Sequence, residues 1–510
     1  MSIELIRKLQ KLTLTFLIIS LPLNSITKRF AIPGIGGDLS NYFFIIGMLW
    51  LIYEYFKFGF EINKKVRLFF CGYIVWQIIC LVHGLAVYEF NELLTINQIP
   101  RLELILNKLS CHRIMVPEML AIKAWLFLRF TKNILLSDNI VFLLTFYIYH
   151  LYKYDFKSAF SDVRKAIIYL FILMGTYSFV ELLWLNLNIP FAKEVLVTIN
   201  PYLYDPVSSH GWWPPLLWKN QLRSITHEPS YFGILSIFSL PFIWSLLWDK
   251  KYKIVGLFSV FYFTFMIAAT NARTAIIITL GELMLTVLSL VFIRRREYMI
   301  RVSIIVILFF SAFACNLINF QSILNYNQEM SVQKVQSVQS FVANNVTSVG
   351  NTISRSNNAR FGNLVANINT IVEYPLLGVG TGLKDAYIDR NLPAFALKNG
   401  EIRLWSKCMH EKGVLKSGYP ALVKYADIAV QNGLIGLALY LSVAVFLIIN
   451  LLRRLHLVIS DYRAVLCAIS MSGLLVAQLS NSAFVICNGI IWGLLYCKLE
   501  EISSTKSGLE

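Results

Sequence analysis

Four long apolar runs, Leu235–Trp248, Ile254–Thr270, Ala275–Ile293 and Val302–Phe320, follow one another with charge gathered almost wholly into the short connectors between them. Such runs belong to spans of about twenty residues. As α-helices they cross about 30 Å of hydrocarbon with every backbone polar group bonded inside its own segment. A soluble core has no use for this pattern, and composition agrees: 57% of the 510 residues are hydrophobic and only 15% charged. The expected fold is an all-α polytopic membrane protein, one membrane domain over residues 1–510.

Read along the chain, eleven spans are clear, near 12–27, 40–57, 66–86, 166–187, 229–248, 253–270, 274–293, 300–319, 421–450, 463–482 and 484–498. Residues 115–153 are apolar but interrupted by Lys123, Arg129, Lys132 and Asp138. Basic connectors recur at Arg7–Lys11, Lys57–Arg67, Lys153–Lys165, Lys250–Lys253, Arg294–Arg296 and Arg453–Arg454, and such clusters are retained on the cytoplasmic side. One crossing within 115–153 places all of them there. The expectation is therefore twelve helices with both termini inside. The 188–227 loop, the Thr270–Arg273 turn and a large loop at 320–420, between helices nine and ten, then share the outer side. The basic residues ahead of Leu12–Leu23 resemble a signal, but no small-residue cleavage site follows, so this segment is read as the first anchor.

The net charge of +17 is accounted for by these retained connectors and attraction to anionic lipids. No recognition motif accompanies the scattered arginines, so nucleic acid is not an expected partner, whereas membrane lipids are. Residues 320–420 carry ten Lys or Arg against six Asp or Glu, a bias that favours an anionic ligand. Six of the eight cysteines, at 71, 80, 315, 467, 487 and 497, fall in expected helices. Cys111 and Cys408 fall in outer loops, where a disulfide is allowed but not indicated. No Cys or His spacing suggests a metal, and no cofactor is expected. Within the large loop, Gln328–Gln339 has valines at 332, 335 and 338 and reads as an amphipathic helix, 344–358 reads as irregular, and Asn358–Tyr374 as a helix stopping before Pro375.

Four polar motifs stand out on the outer side. The first is His227-Glu228-Pro229-Ser230, with Arg223 just before it. It is either a capped helix start or a carboxylate–imidazole pair suited to general-base work on a hydroxyl. The second is Thr270-Asn271-Ala272-Arg273-Thr274, whose arginine is either an interfacial anchor or a forked donor for phosphate. The third runs from Arg360 to Gly382 and ends in Pro375-Leu376-Leu377-Gly378-Val379-Gly380-Thr381-Gly382. Its glycines fit either a phosphate nest or a tight turn, and the spacing is neither a dinucleotide fingerprint nor a Walker loop. The fourth is Asp427–Gly436, where Gly433 and Gly436 read as close helix packing. His83, His112, His150, His410 and Trp405 have no visible partner in sequence.

Taken in order, Glu228-Pro229-Ser230, Asn271-Ala272-Arg273-Thr274, Pro375–Gly382 and Asn432-Gly433-Leu434-Ile435-Gly436 resemble the O-antigen polymerase and O-antigen ligase superfamily. The resemblance covers about residues 223–440; the first two hundred residues contribute topology only. It implies a metal- and nucleotide-independent inverting glycosyltransferase on the periplasmic face of a bacterial inner membrane. The implied substrate is a polyprenyl-pyrophosphate-linked oligosaccharide, and a chain-length regulator is a further candidate partner. Arg273 and Arg360 match the family's arginines, and Glu228 matches a polymerase-like Glu-Pro-Ser. Ligase-type members usually carry a His-Asn or His-Ser pair about ten residues before the glycine equivalent to Gly433; here that region reads Tyr419-Pro420-Ala421-Leu422, and His410 does not align with it.

The expected function is polymerisation of lipid-linked repeat units. Glu228 is the expected base, assisted by His227, with Arg273, Arg360 and Arg223 on the pyrophosphate and Gly378, Gly380 and Gly382 shaping the loop. A ligase transferring finished glycan is the nearest rival. A polysaccharide or lipid transporter is the rival of another class, disfavoured because no duplicated halves are visible.

Overall fold

The computed structural model describes residues 2–27, 29–32, 35–204, 221–249, 253–328 and 355–507, and among these every extended regular element is helical. The first twelve main helices are α1 (Ile3–Ser20), α2 (Leu39–Phe58), α3 (Lys64–Val87), α4 (Pro100–Cys111), α5 (Glu118–Asn133), α6 (Ile140–Tyr152), α7 (Phe156–Leu187), α8 (Pro190–Leu203), α9 (Pro229–Trp244), α10 (Lys253–Ala269), α11 (Arg273–Leu288) and α12 (Arg296–Gln328). They are followed by α13 (Arg355–Glu373), α14 (Lys384–Arg390), α15 (Gly400–Lys412), α16 (Lys424–Arg453), α17 (Tyr462–Ala477) and α18 (Ile486–Ser507).

Local chemistry sets many of the ends. Asp38 and Asn63 accept backbone N–H groups at the starts of α2 and α3, and Asp155 accepts from Ser158 at the start of α7. Helix α7 stops at Asn188 in the left-handed region, and α2 stops at Gly59 with φ of 67°.

Among the described residues, eight helical segments are long and apolar enough to cross a membrane: α2, α3, the α5–α6 unit, α7, α9 with its last turn to Trp248, α11 to Val291, α12 to Leu317, and α16. This is an architecture consistent with a helical membrane protein. Helices α10 and α17 are apolar but have 17 and 16 residues. Each of the twelve expected spans overlaps one of these elements, α1 or α18. The ambiguous 115–153 region forms a single 35-residue helical unit, Glu118–Tyr152, interrupted by a π-helical turn at Ile134–Asp138. At about 1.5 Å per residue it is roughly 50 Å long, more than the hydrocarbon needs.

Burial separates centre from periphery. Within the apolar window of the α9 unit 89% of residues are buried, against 28% for α2, α12 and α16. A helix apolar all round yet mostly uncovered presents that surface to lipid, whereas α9 is the post on which α7, α10, α11 and α17 pack.

The 355–420 segment does not pack on its own. Helices α13–α15 pack around Ala359, Ala366, Ile388, Ile402 and Met409. They are joined to residues 88–116, a segment whose contribution was not expected: Arg390 bridges Glu89 and Glu373 at 2.7 and 2.5 Å, Tyr374 donates to Glu89 at 2.9 Å, and Lys416 reaches Asn97 O. The expected irregular stretch is helical from Arg355 onward, while its first part and the amphipathic helix beyond Gln328 lie outside the described residues. Cys111 is exposed and Cys408 buried, and no disulfide joins the two.

Candidate functional site

Helix α9 begins with Pro229 in its first turn and Glu228 as the preceding cap residue. The Glu228 carboxylate is half-buried and accepts a hydrogen bond from Ser230 Oγ at 3.0 Å. Beside it, the Thr270–Ala272 turn, with Asn271 at φ of 50° and Ala272 N–H donating to Thr270 Oγ1, delivers Arg273 as the exposed first residue of α11. Gly233 is what lets the two helices touch: a Cβ there would stand 2.3 Å from Ala275 Cβ. Two helix N-termini therefore lie side by side, and the partial positive charge of each falls on the same small region, at which α11 begins with Arg273.

Arg360 reaches this region from α13. Its guanidinium donates to Ser480 O at 3.0 Å, in the turn between α17 and α18. Phe484 of that turn packs edge-on against Tyr231, three residues from Glu228, with ring centroids 5.9 Å apart. Ser482 Oγ donates to Ala421 O and Lys424 N to Gln478 O, so the loop end is tied to the turn as well. The 478–485 turn thus forms a common wall between Arg360 and the start of α9.

Arg223 and His227 take different places from those expected. Arg223 has no exposed surface; its guanidinium donates to Thr226 O at 2.7 Å and Tyr177 Oη at 3.3 Å, and lies 5.1 Å from the Tyr204 ring centroid. Its own N–H and that of Ser224 donate to the two carboxylate oxygens of Glu181. This arginine binds the protein interior and shapes the approach to α9. His227 is also buried, with Nδ1 2.7 Å from Asn24 Oδ1 and its ring against Tyr204. Burial, reinforced by Arg223, pushes its pKa down to about 4, so the imidazole is neutral at ordinary pH. The contact Glu228 makes is with Ser230 rather than with this ring.

The glycine turn is a clasp. Gly378, Gly380 and Gly382 all have positive φ, of 65°, 89° and 77°. The amides that would cradle a phosphate are occupied: Gly378 N–H bonds Tyr374 O, Val379 bonds Val430 O, Gly380 bonds Gln431 O, and Gly382 bonds Gln431 Oε1. The partner is a break in α16 at Gly433, whose φ of 70° and ψ of 178° free those carbonyls. A Cβ on Gly433 would come within 1.8 Å of Leu376 O, and one on Gly84 of α3 within 2.3 Å of Val379 O. Of the two readings open for these glycines, a phosphate nest or a tight turn, the backbone bonds show the turn, locked between the loop and the apolar helices.

Two polar groups escaped sequence reading. Lys384 Nζ pairs with Asp427, and Lys424 lies 3.9 Å from the same carboxylate. Burial works against the Lys384 ammonium, but Asp427 and Asp385 outweigh it and hold its pKa above the ordinary value. Burial raises Asp385 to about 6 despite Lys384 and a hydrogen bond from Tyr419 N–H. Nearby, the exposed His410 places Nε2 2.9 Å from Asp389 Oδ2, and the Tyr419 hydroxyl donates to the other oxygen of that carboxylate. The only sequence signal was Lys384-Asp385 and Asp389 recurring on one side of a short helix directly after the glycines.

Among the described residues no group of three or more His, Cys, Asp or Glu is arranged to hold a metal ion. No protein-family model matches this chain, and no curated protein sequence matches it either.

Proposed function

We propose that this protein polymerises lipid-linked oligosaccharide repeat units on the outer face of a bacterial cytoplasmic membrane, with twelve crossings and the 320–420 loop in the periplasm. The sugar hydroxyl of an incoming unit attacks the anomeric carbon of the growing glycan. A glycosidic C–O bond forms, the anomeric C–O bond to phosphate breaks with inversion, and the hydroxyl proton passes to Glu228. Polyprenyl pyrophosphate departs carrying the negative charge. Preorganised cations stabilise that charge as it develops, which is the role given to Arg273, Arg360 and the two helix N-termini. The reaction as written uses no metal or nucleotide. The observation that supports this most directly is the contact of α9 with α11 through Gly233, which brings Glu228 and Arg273 to the same mouth.

A ligase remains the second reading because of one observation: the exposed His410 is oriented by Asp389, the arrangement a histidine base needs. Purified protein supplied with lipid-linked repeat units separates the two. Polymerisation gives a ladder of chain lengths, ligation a single transfer to acceptor. The expected result is a ladder lost or reduced by roughly 10²–10³-fold in Arg273→Ala, Arg360→Ala and Glu228→Gln, and retained in His410→Ala. A full ladder from both arginine variants, or from Glu228→Gln across pH, overturns those assignments.

A further inference from the structure

A cavity of 1370 Å³ lies among α1, α3, α6, α16 and α18. It is remote from the mouth: its α16 wall, Ser442 to Phe446, begins 18 residues after Lys424, about 27 Å along the helix. Its volume exceeds the roughly 300–1,000 Å³ of ordinary small-molecule pockets, so a compact metabolite would leave much of it unfilled.

The walls are sorted by chemistry. At one end stand Arg7 and Lys11 of α1, Lys65 at the start of α3 and Lys153 just after α6. At the other, Phe69, Phe70, Phe142 and Phe146 form an aromatic lining, with Phe446 opposite. The acids at the charged end are largely engaged: Asp155 caps α7 through Ser158 N–H, and Glu500 accepts from Tyr149 Oη at 3.0 Å. Glu61 is the third, and of the cations Arg7 and Lys11 pair with Glu54 at 3.8 Å and Asp162 at 3.3 Å, so among the described residues Lys65 and Lys153 are the cations of this end that no carboxylate pairs.

Depth identifies the occupant. From Lys153 back to Phe142 is eleven residues of α6, roughly 16 Å, or about half the hydrocarbon thickness. A cavity one leaflet deep, cationic at the end and aromatic inside, matches a lipid whose phosphate lies at the surface and whose chains lie among the helices. The cations belong to the connectors that positive-inside asymmetry assigns to the cytoplasm, where anionic lipids are abundant.

We propose that this cavity binds a single anionic glycerophospholipid of the inner leaflet, with its phosphate at Lys65 and Lys153 and its acyl chains along Phe69, Phe142, Phe146 and Phe446. The inference stands on the membrane character of the fold and not on the proposed glycosyltransfer. It is tested by native mass spectrometry of the full chain, released from nanodiscs containing equal amounts of phosphatidylglycerol and phosphatidylcholine. One retained phosphatidylglycerol per chain is expected. Lys65→Gln/Lys153→Gln should lower that occupancy at least about tenfold, since each lysine near the surface contributes measurably to anionic-lipid affinity. Ser442→Phe, which puts a ring into the acyl-chain path without changing charge, should lower it too. Both positions altered in the charge variant are exposed, and an unchanged thermal unfolding profile confirms that the fold is intact. Equal retention of the two lipids, unchanged retention in both variants, displacement by free inorganic phosphate, or preferential retention of a prenyl phosphate added to the nanodisc would each overturn the proposal.

Discussion

The ion pair between Lys384 and Asp427 allows the sharpest test of how the loop is anchored. The two side chains are 12% and 9% exposed, so removing either partner leaves the other charge poorly solvated. Breaking a buried pair costs about 3–5 kcal/mol in general. Here the cost should fall at or just below that range. Asp427 would keep Lys424 at 3.9 Å when Lys384 is lost, and Lys384 would keep the field of Asp385 when Asp427 is lost. We expect about 2–3 kcal/mol for Lys384→Met and for Asp427→Leu alone. The double variant removes both charges and buries apolar volume in their place, so it should lie within about 2 kcal/mol of the parent, a coupling of about 3 kcal/mol. Equilibrium unfolding in mixed micelles, followed by the fluorescence of the 11 tryptophans, measures all four states. Additive effects would refute the reasoning, because they would mean that the two charges are solvated independently in the folded protein.

Three further outcomes follow from the same geometry. His227 titrates near 4 in the folded protein against an ordinary value of 6.5, so the unfolded chain takes up the proton first. Stability from this group is present above about 6.5 and lost as pH falls towards 4, by about 3 kcal/mol at most. Asp385, raised to about 6, acts in the opposite sense between about 4 and 6, so the test is the difference between the stability profiles of the parent and His227→Gln, which should grow with pH across that window. Gly433→Ala places a Cβ against Leu376 O and demands a backbone conformation essentially confined to glycine; it should cost at least about 3 kcal/mol and expose the 375–423 segment to protease in a limited-digestion assay. Arg223→Met should lower the yield of folded protein, because Glu181 and two tyrosines lose their cation, whereas Arg273→Ala should fold normally and lose only activity, as size-exclusion profiles and product gels would show.

The helical membrane architecture was legible because hydrophobic run length is a property of sequence alone. Charge asymmetry asked for one crossing within 115–153, and the chain there is a single helical unit, whereas the π-helical turn that takes in Asp138 had no signal in the sequence. The neighbourhood of Glu228 and Arg273 was also legible in outline, since both sit at helix starts with recognisable turn chemistry. What the sequence could not separate was the two kinds of arginine. Arg223 and Arg273 occur in similar polar turns, yet one is enclosed by Glu181, Tyr177 and Tyr204 from distant parts of the chain and the other is exposed. Long-range pairing of this kind leaves no local periodic trace. The same holds for Glu89 with Arg390 and for Gln98 against Gly413, contacts spanning some three hundred residues that turn 88–116 into the platform of the large loop.

Backbone irregularity is where the fold and the site meet. The π-helical turn at Ile134–Asp138, the break at Gly433 and the three positive-φ glycines each free backbone groups that would be costly next to lipid. Each group released here is taken up by a neighbour: Ile134 O by Asn139 Nδ2, Val430 O by Val379 N–H, Gln431 O by Gly380 N–H, and Pro375 O by Leu434 N–H. A loop fastened by that many mutual bonds cannot slide along the helices it touches. Helix α13 ends at Glu373, two residues before Pro375, so the clasp also sets the height from which α13 runs back about 20 Å to Arg360. The glycines therefore act through position: they hold the helix that brings Arg360 to the Ser480 turn, opposite the start of α9.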